Sequence, residues 1–293
     1  MPYWITTVRD VRRITPHMVR VVLDGDELAG YQAKGLADDY CRVLFPHPGE
    51  DSPVVPVEID GTEQDPPGAV PAPVRNYTIR RHDPDTGEVW IDLLLHEGGI
   101  GAGWAAQARP GARIALGPAH GRYQPPDGTR RVVLVGDATA LPAIGRILDE
   151  LPAGRSALAV ILVADAAEEQ ELPAGDGVEI RWLHVPDPAA LGERLLAEVQ
   201  SCELAADGTD YVWVAGETDA CRLARKHLRH ERGLPAGAYT VVGYWRPDAE
   251  RWQARYDALA EELAAKLAIA DAENPDDDDY DDAVDRIYTD AGL

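Results

Sequence analysis

The sequence predicts a β plus α/β chain: an N-terminal antiparallel β-barrel, then a parallel sheet covered by helices, closed by a C-terminal helix and an acidic tail. Three observations carry this. Up to about residue 125 the chain is short apolar runs bounded by Gly, Pro or Asp, with little helix between them. After PPDGTRR (125–131) strand-like and helix-like segments alternate, the pattern of βαβ units and a parallel sheet. At 293 residues the chain is also long for one core, so two domains are the default.

The barrel strands are expected at HMVRVVLDG (17–25), YCRVLFP (40–46), VRNYTIRRH (74–82), EVWIDLLLH (88–96) and ARIALG (112–117), with one helix at GAGWAAQARP (101–110). In the second part VVLVG (132–136) is a continuous apolar strand. It leads into TALPAIGRILDEL (139–151), where Leu141, Ile144, Leu148 and Leu151 recur at helical spacing. Strands ALAVILVA (157–164) and VEIRWL (178–183), helix AALGERLLAEVQ (189–200), strand YVWVAG (211–216), helix DACRLARKHLRHE (219–231) and strand AYTVVGYW (238–245) follow. Past Arg246, the residues Trp252, Tyr256, Leu259, Leu263 and Leu267 line one helical face, which packs on the body or docks a partner. Asn274-Pro275 is expected to stop this helix. The domain limits are set at 1–126, 127–246 and 247–293.

The formal net charge is −23. Residues 271–293 hold ten acids and one Arg, which leaves −14 for the rest. Such a body repels nucleic-acid phosphates, so no nucleic-acid partner is expected. The Asp run is read as solvated and mobile. No apolar run reaches the roughly 18 residues of a membrane helix. MPYWITTVRDVRR does not look like a secretory signal. Cys41, Cys202 and Cys221 are odd in number and far apart, so neither a disulfide framework nor a metal site is expected. A cytoplasmic monomer with no membrane partner is the expectation.

Within this acidic chain RNYTIR (75–80) places two arginines around a Tyr-Thr pair. On a strand Arg75, Tyr77 and Ile79 share one face, and Asn76, Thr78 and Arg80 the other. A barrel strand with a buried tyrosine and arginine-capped ends would read the same. A flavin cradle is the alternative. An aromatic ring can cover one isoalloxazine face, a hydroxyl can sit by N5, and an arginine fork suits a pyrophosphate. HEGGIGAGWAAQA then supplies a Gly-rich helix entry whose free N–H groups favour phosphate.

The order RxYTxR, DLLLH, GGIGAGWA, GDATALPAIGRIL, WVAGE and GYWR, with the opening VRRITPHMVRVVL, resembles the siderophore-interacting protein family. These are flavin-dependent ferric-siderophore reductases of the ferredoxin-reductase-like superfamily. The match spans roughly residues 5 to 246. The resemblance implies an N-terminal antiparallel FAD-binding β-barrel followed by a parallel-sheet nucleotide-binding α/β domain. It places Arg75 on the flavin phosphates, Tyr77 against the ring, Thr78 near N5 and Asn76 beside them. Arg80 would support the phosphates or ring edge, and His96 would fall in the pocket. Gly101, Ala102, Gly103 and Trp104 would form the helix entry, although many relatives carry a hydroxyl residue there.

On the nucleotide side GxGxxG is absent. The resemblance puts Gly136, Asp137, Thr139, Ala140 and Glu217 around a nicotinamide, in the crevice at the carboxyl ends of the strands. Ala138 stands where relatives often have Glu. DAAEEQE after strand 157–164 is acidic, and Val185 stands where relatives often have Arg. Both favour NADH over NADPH, and ferredoxin is a further candidate donor. Hydride carries two electrons whereas Fe(III) accepts one, and a flavin bridges the two. No protein metal ligand and no catalytic acid–base pair is needed, because the iron stays in its chelator. A ferric siderophore is often anionic, so Arg42, Arg122 and Arg246 are the expected substrate contacts. Another flavin reductase or electron-transfer flavoprotein, or a non-catalytic ferric-siderophore binder, would share much of this pattern.

Overall fold

The computed structural model describes residues 3–59, 62–274 and 277–293. Its first part contains β1 (Trp4–Thr15), β2 (Met18–Asp24), β3 (Tyr40–Leu44), β4 (Val57–Ile59), β5 (Thr62–Gln64), β6 (Val74–Asp83), β7 (Glu88–Leu94), the short helix α1 (Ile100–Ala105) and β8 (Arg113–His120). Six strands close an antiparallel barrel in the order β1-β2-β7-β6-β3-β8, while β4 and β5 form a separate hairpin. Val19, Val21 and Leu23 from β2 point inward with Cys41, Val43, Ile79, Ile91 and Leu93, as the two-residue period of a strand requires. The sequence reading did not list β1 as a strand. Arg9, Asp10, Arg12 and Arg13 interrupt its apolar pattern, and register shifts break its pairing with β2 at Val8/Asp10 and Arg13/Thr15.

The second part contains β9 (Arg131–Asp137), α2 (Leu141–Asp149), β10 (Ser156–Val163), β11 (Val178–His184), α3 (Leu191–Ser201), β12 (Asp210–Glu217), α4 (Thr218–Lys226), a π turn at His227–Glu231 and β13 (Tyr239–Trp245). The sheet is parallel throughout, in the order β11-β10-β9-β12-β13. Pro142 sits in the first turn of α2, where its missing N–H costs nothing. α2 covers one face of the sheet with Ile144, Ile147 and Leu148. α3 and α4 cover the other with Leu195, Val199, Ala220 and Ala224.

The two parts share a buried seam. Met18 and Ala37 from the barrel side belong to the same core as α2. Arg146 of α2 donates to the Ile79 carbonyl at 2.9 Å and lies 3.7 Å from the fully buried Asp39. Asp38 accepts from the Arg122 and Tyr123 N–H groups at 2.8 Å and from Trp213 Nε1 at 3.3 Å. Glu168, past the end of β10, accepts from Thr15 Oγ1 at 2.6 Å and faces His17 Nδ1 at 2.6 Å. Buried carboxylates so placed persist because each is paired or hydrogen-bonded.

The C-terminal segment differs from the single helix and mobile tail of the sequence reading. It is three helices: α5 (Ala249–Ala258), α6 (Ala260–Glu273) and α7 (Asp277–Asp290). The chain leaves helical geometry at Leu259 (φ −113°, ψ 6°), so the stripe from Trp252 to Leu267 is split between two helices. α6 ends at Glu273. Pro275 lies outside the described residues. In α7, Asp282 and Asp285 meet the buried Arg225 at 3.0 and 2.7 Å, and Arg229 contacts Asp279. The acidic run is held because α4 offers cations that no local pattern in the tail reveals.

Candidate functional site

β6 changes partners in mid-strand. Val74 to Thr78 pair with β3, whereas pairing with β7 begins at Ile79. Among the described residues Arg75 to Thr78 therefore have one strand edge unpaired in the barrel. Arg75 is exposed, and its guanidinium donates to the Val74 carbonyl at 2.8 Å without an ion pair to a described acid. Tyr77 is half-buried. Its ring meets Phe45 edge-on at 6.0 Å, and burial pushes its phenol up to about 12. Thr78 is buried, 5% exposed.

The start of α1 closes against this strand. A Cβ at Gly101 would lie 1.9 Å from the Tyr77 phenol oxygen, so only glycine permits that approach. A Cβ at Gly99 would lie 2.3 Å from His96 Cε1. His96 is exposed and contacts the Glu97 carbonyl at 3.1 Å. The helix has no side-chain cap, so the first-turn N–H groups at Gly101 and Ala102 lack intrahelical acceptors. Gly103, expected to offer its N–H, instead donates to the Gly99 carbonyl at 2.8 Å. Trp104 turns to the barrel core against Phe45 at 5.4 Å. Arg80 also departs from its expected role. Its guanidinium crosses Gly145 to pair with Asp149 at 2.6 Å, which makes it part of the seam.

The second half of the site lies where β9 is flanked by β10 and β12, a topological switch point. Asp137 ends β9 and is 1% exposed. Its Oδ1 accepts from the Thr139 N–H at 2.8 Å and the Thr139 hydroxyl at 2.5 Å, and its Oδ2 accepts from Trp245 Nε1 at 2.7 Å. Burial raises its carboxyl, and these donors oppose the rise. A Cβ at Gly136 would meet Ala140 Cβ at 2.5 Å, so Gly136 and Ala140 form the tight strand-to-helix turn. Glu217 was expected to face the crevice. Its carboxylate instead caps α4, accepting from the Asp219 and Ala220 N–H groups at 2.9 and 2.8 Å.

The two halves meet at the seam, where Arg146 of α2 donates to the Ile79 carbonyl at 2.9 Å. Burial raises the Tyr244 phenol of β13. Tyr244 precedes Trp245 on β13; its ring meets Trp213 edge-on at 6.3 Å, while Trp245 reaches the Asp137 turn. The expected substrate arginines stand on different elements. Arg42 is exposed on β3, opposite Asn76. Arg122 is exposed on the connection after β8, and its carbonyl accepts from Thr240 Oγ1 at 3.4 Å. Arg246 lies over the Trp252 ring at 4.3 Å. Sequence reasoning missed Asp38, Asp39, Arg146 and Glu168, whose partners across the seam are tens of residues away or more, and Tyr244 of β13. The doublet Asp38-Asp39 just before an apolar strand is the only local sign of them.

A parallel sheet behind a six-stranded antiparallel barrel is the ferredoxin-reductase-like fold. A ferredoxin–NADP+ reductase from Plasmodium falciparum has this fold: 11% identity, TM-score 0.62, 83% of this chain and 96% of that one. Residues 7–123 match the profile of the siderophore-interacting FAD-binding domain, and residues 129–248 that of siderophore-interacting protein. The chain belongs to the siderophore-interacting protein family. A siderophore utilization protein from T. fusca is 39% identical, with TM-score 0.75 over 84% of this chain and 94% of that one. An Escherichia coli protein named NADPH-dependent ferric-chelate reductase is 32% identical over 246 residues, 82% of this chain and 91% of its own length.

Proposed function

We propose that this chain reduces Fe(III) held in a siderophore-class chelate to Fe(II), using FAD and a nicotinamide dinucleotide. The bond from Arg146 of α2 to the Ile79 carbonyl, next to Thr78, carries the reading, because it brings a flavin-type cradle and a nucleotide-type crevice together. FAD, when bound, accepts a hydride and passes electrons singly to iron. Arg75 and the N–H groups of Gly101 and Ala102 would hold its phosphates, Tyr77 would cover the ring, and Thr78 would stand by N5. The barrel to residue 126 holds FAD, and the sheet domain to residue 246 takes the donor. Asp137 orders the turn to α2 through Thr139 and Trp245, so its work is positioning. Arg42 and Arg122 draw the anionic chelate to the flavin edge, and iron leaves the weakened Fe(II) complex inside the cell.

The NADH preference finds no support in the two acids past the end of β10. Glu168 is committed to Thr15 and His17, and Glu169 pairs with His184 at 2.8 Å, so neither acid is free for a ribose. NADPH is the donor to test first, in keeping with the name of the E. coli relative. Ferredoxin serves as the second donor in the test. The purified protein should be yellow and should bleach anaerobically with a donor. Ferric chelate should then restore the colour, with Fe(II) trapped by a ferrous-specific dye. Absence of Fe(II) under turnover overturns the proposal. Rapid electron transfer to free flavin alone would favour a general flavin reductase, and a protein that never binds FAD would favour a chelate binder.

A further inference from the structure

The segment after β13 gathers three arginines that the other features of the fold leave unused. Arg246, Arg251 and Arg255 line one cavity of about 250 Å³, and none forms an ion pair with a described acid. Nearby Arg225, by contrast, is held by two aspartates. In a chain of net charge −23, three guanidinium groups gathered in one cavity without ion-pair partners among the described residues stand out from an otherwise acidic surface. Asp219, Asp248 and the Leu293 carboxylate also line the cavity, so its formal charges balance, but none of the three arginines is paired to them. Asp219 lies 3.7 Å from Arg222.

Two further observations point to a ligand. Trp252 lines the cavity, and its Nε1, itself buried, finds no acceptor among the described residues. Its ring is fixed by Arg246 at 4.3 Å and by Tyr256 stacked at 5.3 Å. Asp248 is the one non-glycine at positive φ (51°) among the described residues, and its carboxylate makes no capping bond. That turn sets Arg246 against α5, where Arg251 and Arg255 are four residues apart on one face. Strain of this kind is held where the surrounding structure imposes it, often at binding sites.

We propose that this cavity is an oxyanion subsite that takes one phosphate or carboxylate group between the arginine forks, with the Trp252 N–H as a further donor. Arginine forks match planar or tetrahedral oxyanions in a bidentate manner. The volume lies below the roughly 300–1,000 Å³ of pockets that enclose a drug-sized ligand, so a single anionic group enters and the rest of its molecule stays outside. The group belongs either to the dinucleotide donor or to the chelate.

The probe is inorganic pyrophosphate, titrated calorimetrically at low ionic strength into the full chain and the double variant Arg251→Gln/Arg255→Gln. Binding should weaken at least ten-fold in the double variant and about three-fold in Trp252→Phe. Arg251→Lys/Arg255→Lys, which keeps both charges, should recover part of the loss. Circular dichroism confirms that each variant is folded. Pyrophosphate held elsewhere, at Arg75 for example, would be insensitive to these substitutions, so unchanged binding overturns the proposal. This arm needs no redox activity and stands if the reductase reading fails. The source is then read from kinetics. A several-fold rise in KM for NADPH in the Gln variant assigns the group to the donor, and a rise for ferric citrate assigns it to the chelate.

Discussion

Arg146, on the helix that follows the central strand of the sheet, donates to the carbonyl of Ile79, 67 residues earlier on the cradle strand. One guanidinium thus ties the place where β6 changes partners to the helix that closes the nucleotide crevice. The same group lies near Asp39 and raises the cost of protonating His82.

That last effect has a pH consequence. His82 is held below the ordinary histidine value of 6.5, by burial first and by the Arg146 charge second. The unfolded chain therefore binds a proton more readily than the folded one. Stability from this group is complete above pH 6.5 and is lost as pH falls through the histidine range toward the folded value. Denaturant midpoints between pH 7.5 and 5.5 should fall for the native chain and fall less for His82→Gln. Equal slopes would show that His82 does not titrate this way.

Arg75→Ala should weaken FAD binding by roughly 1.5–3 kcal/mol, the range for a hydrogen bond to a charged group. Among the described residues Arg75 bonds only to the neighbouring Val74 carbonyl, so the melting temperature of the FAD-free protein should stay unchanged. Fluorescence titration with FAD reads the first effect and calorimetry the second.

Gly101→Ala drives a methyl group into the Tyr77 phenol. Overpacking of this kind costs about 1–3 kcal/mol. Tyr77 should swing away, so the variant should lose flavin affinity together with stability. A flavin spectrum and affinity equal to the native protein's would contradict the placement of Tyr77 over α1.

Trp245→Phe keeps a ring at the end of β13 and removes a donor from Asp137. Leaving a buried acceptor short of one partner costs about 1–3 kcal/mol. Urea unfolding should show that loss. KM for the nicotinamide donor should rise more than kcat falls, because the turn at Thr139 loosens while the β6 cradle is untouched.

Arg225→Met strips α7 of its central partner. Removing one member of a buried ion pair costs on the order of 3 kcal/mol. Asp282 and Asp285 retain some water, so the expected effect is detachment of α7 rather than global unfolding. Limited proteolysis should release the C-terminal peptide from the variant well before the native chain is cut.

The order of most strands and helices, the parallel second sheet and the RNYTIR and Gly-rich segments were legible in the sequence. Each depends on a period of two, on a helical period or on a local glycine requirement, and such signals lie within about ten residues. Arg75, Tyr77 and Gly101 belong to that class. The tertiary structure alone decided that Arg80 and Glu168 serve the seam, that Glu217 caps a helix, that Trp104 faces the core and that the aspartate run folds onto α4. A charged side chain takes its role from the counter-charge or free N–H that folding brings within 3 Å. For Glu168 and Thr15 those partners start 153 residues apart. Periodicity reports which face is buried, and only the closed chain reports which charge meets which.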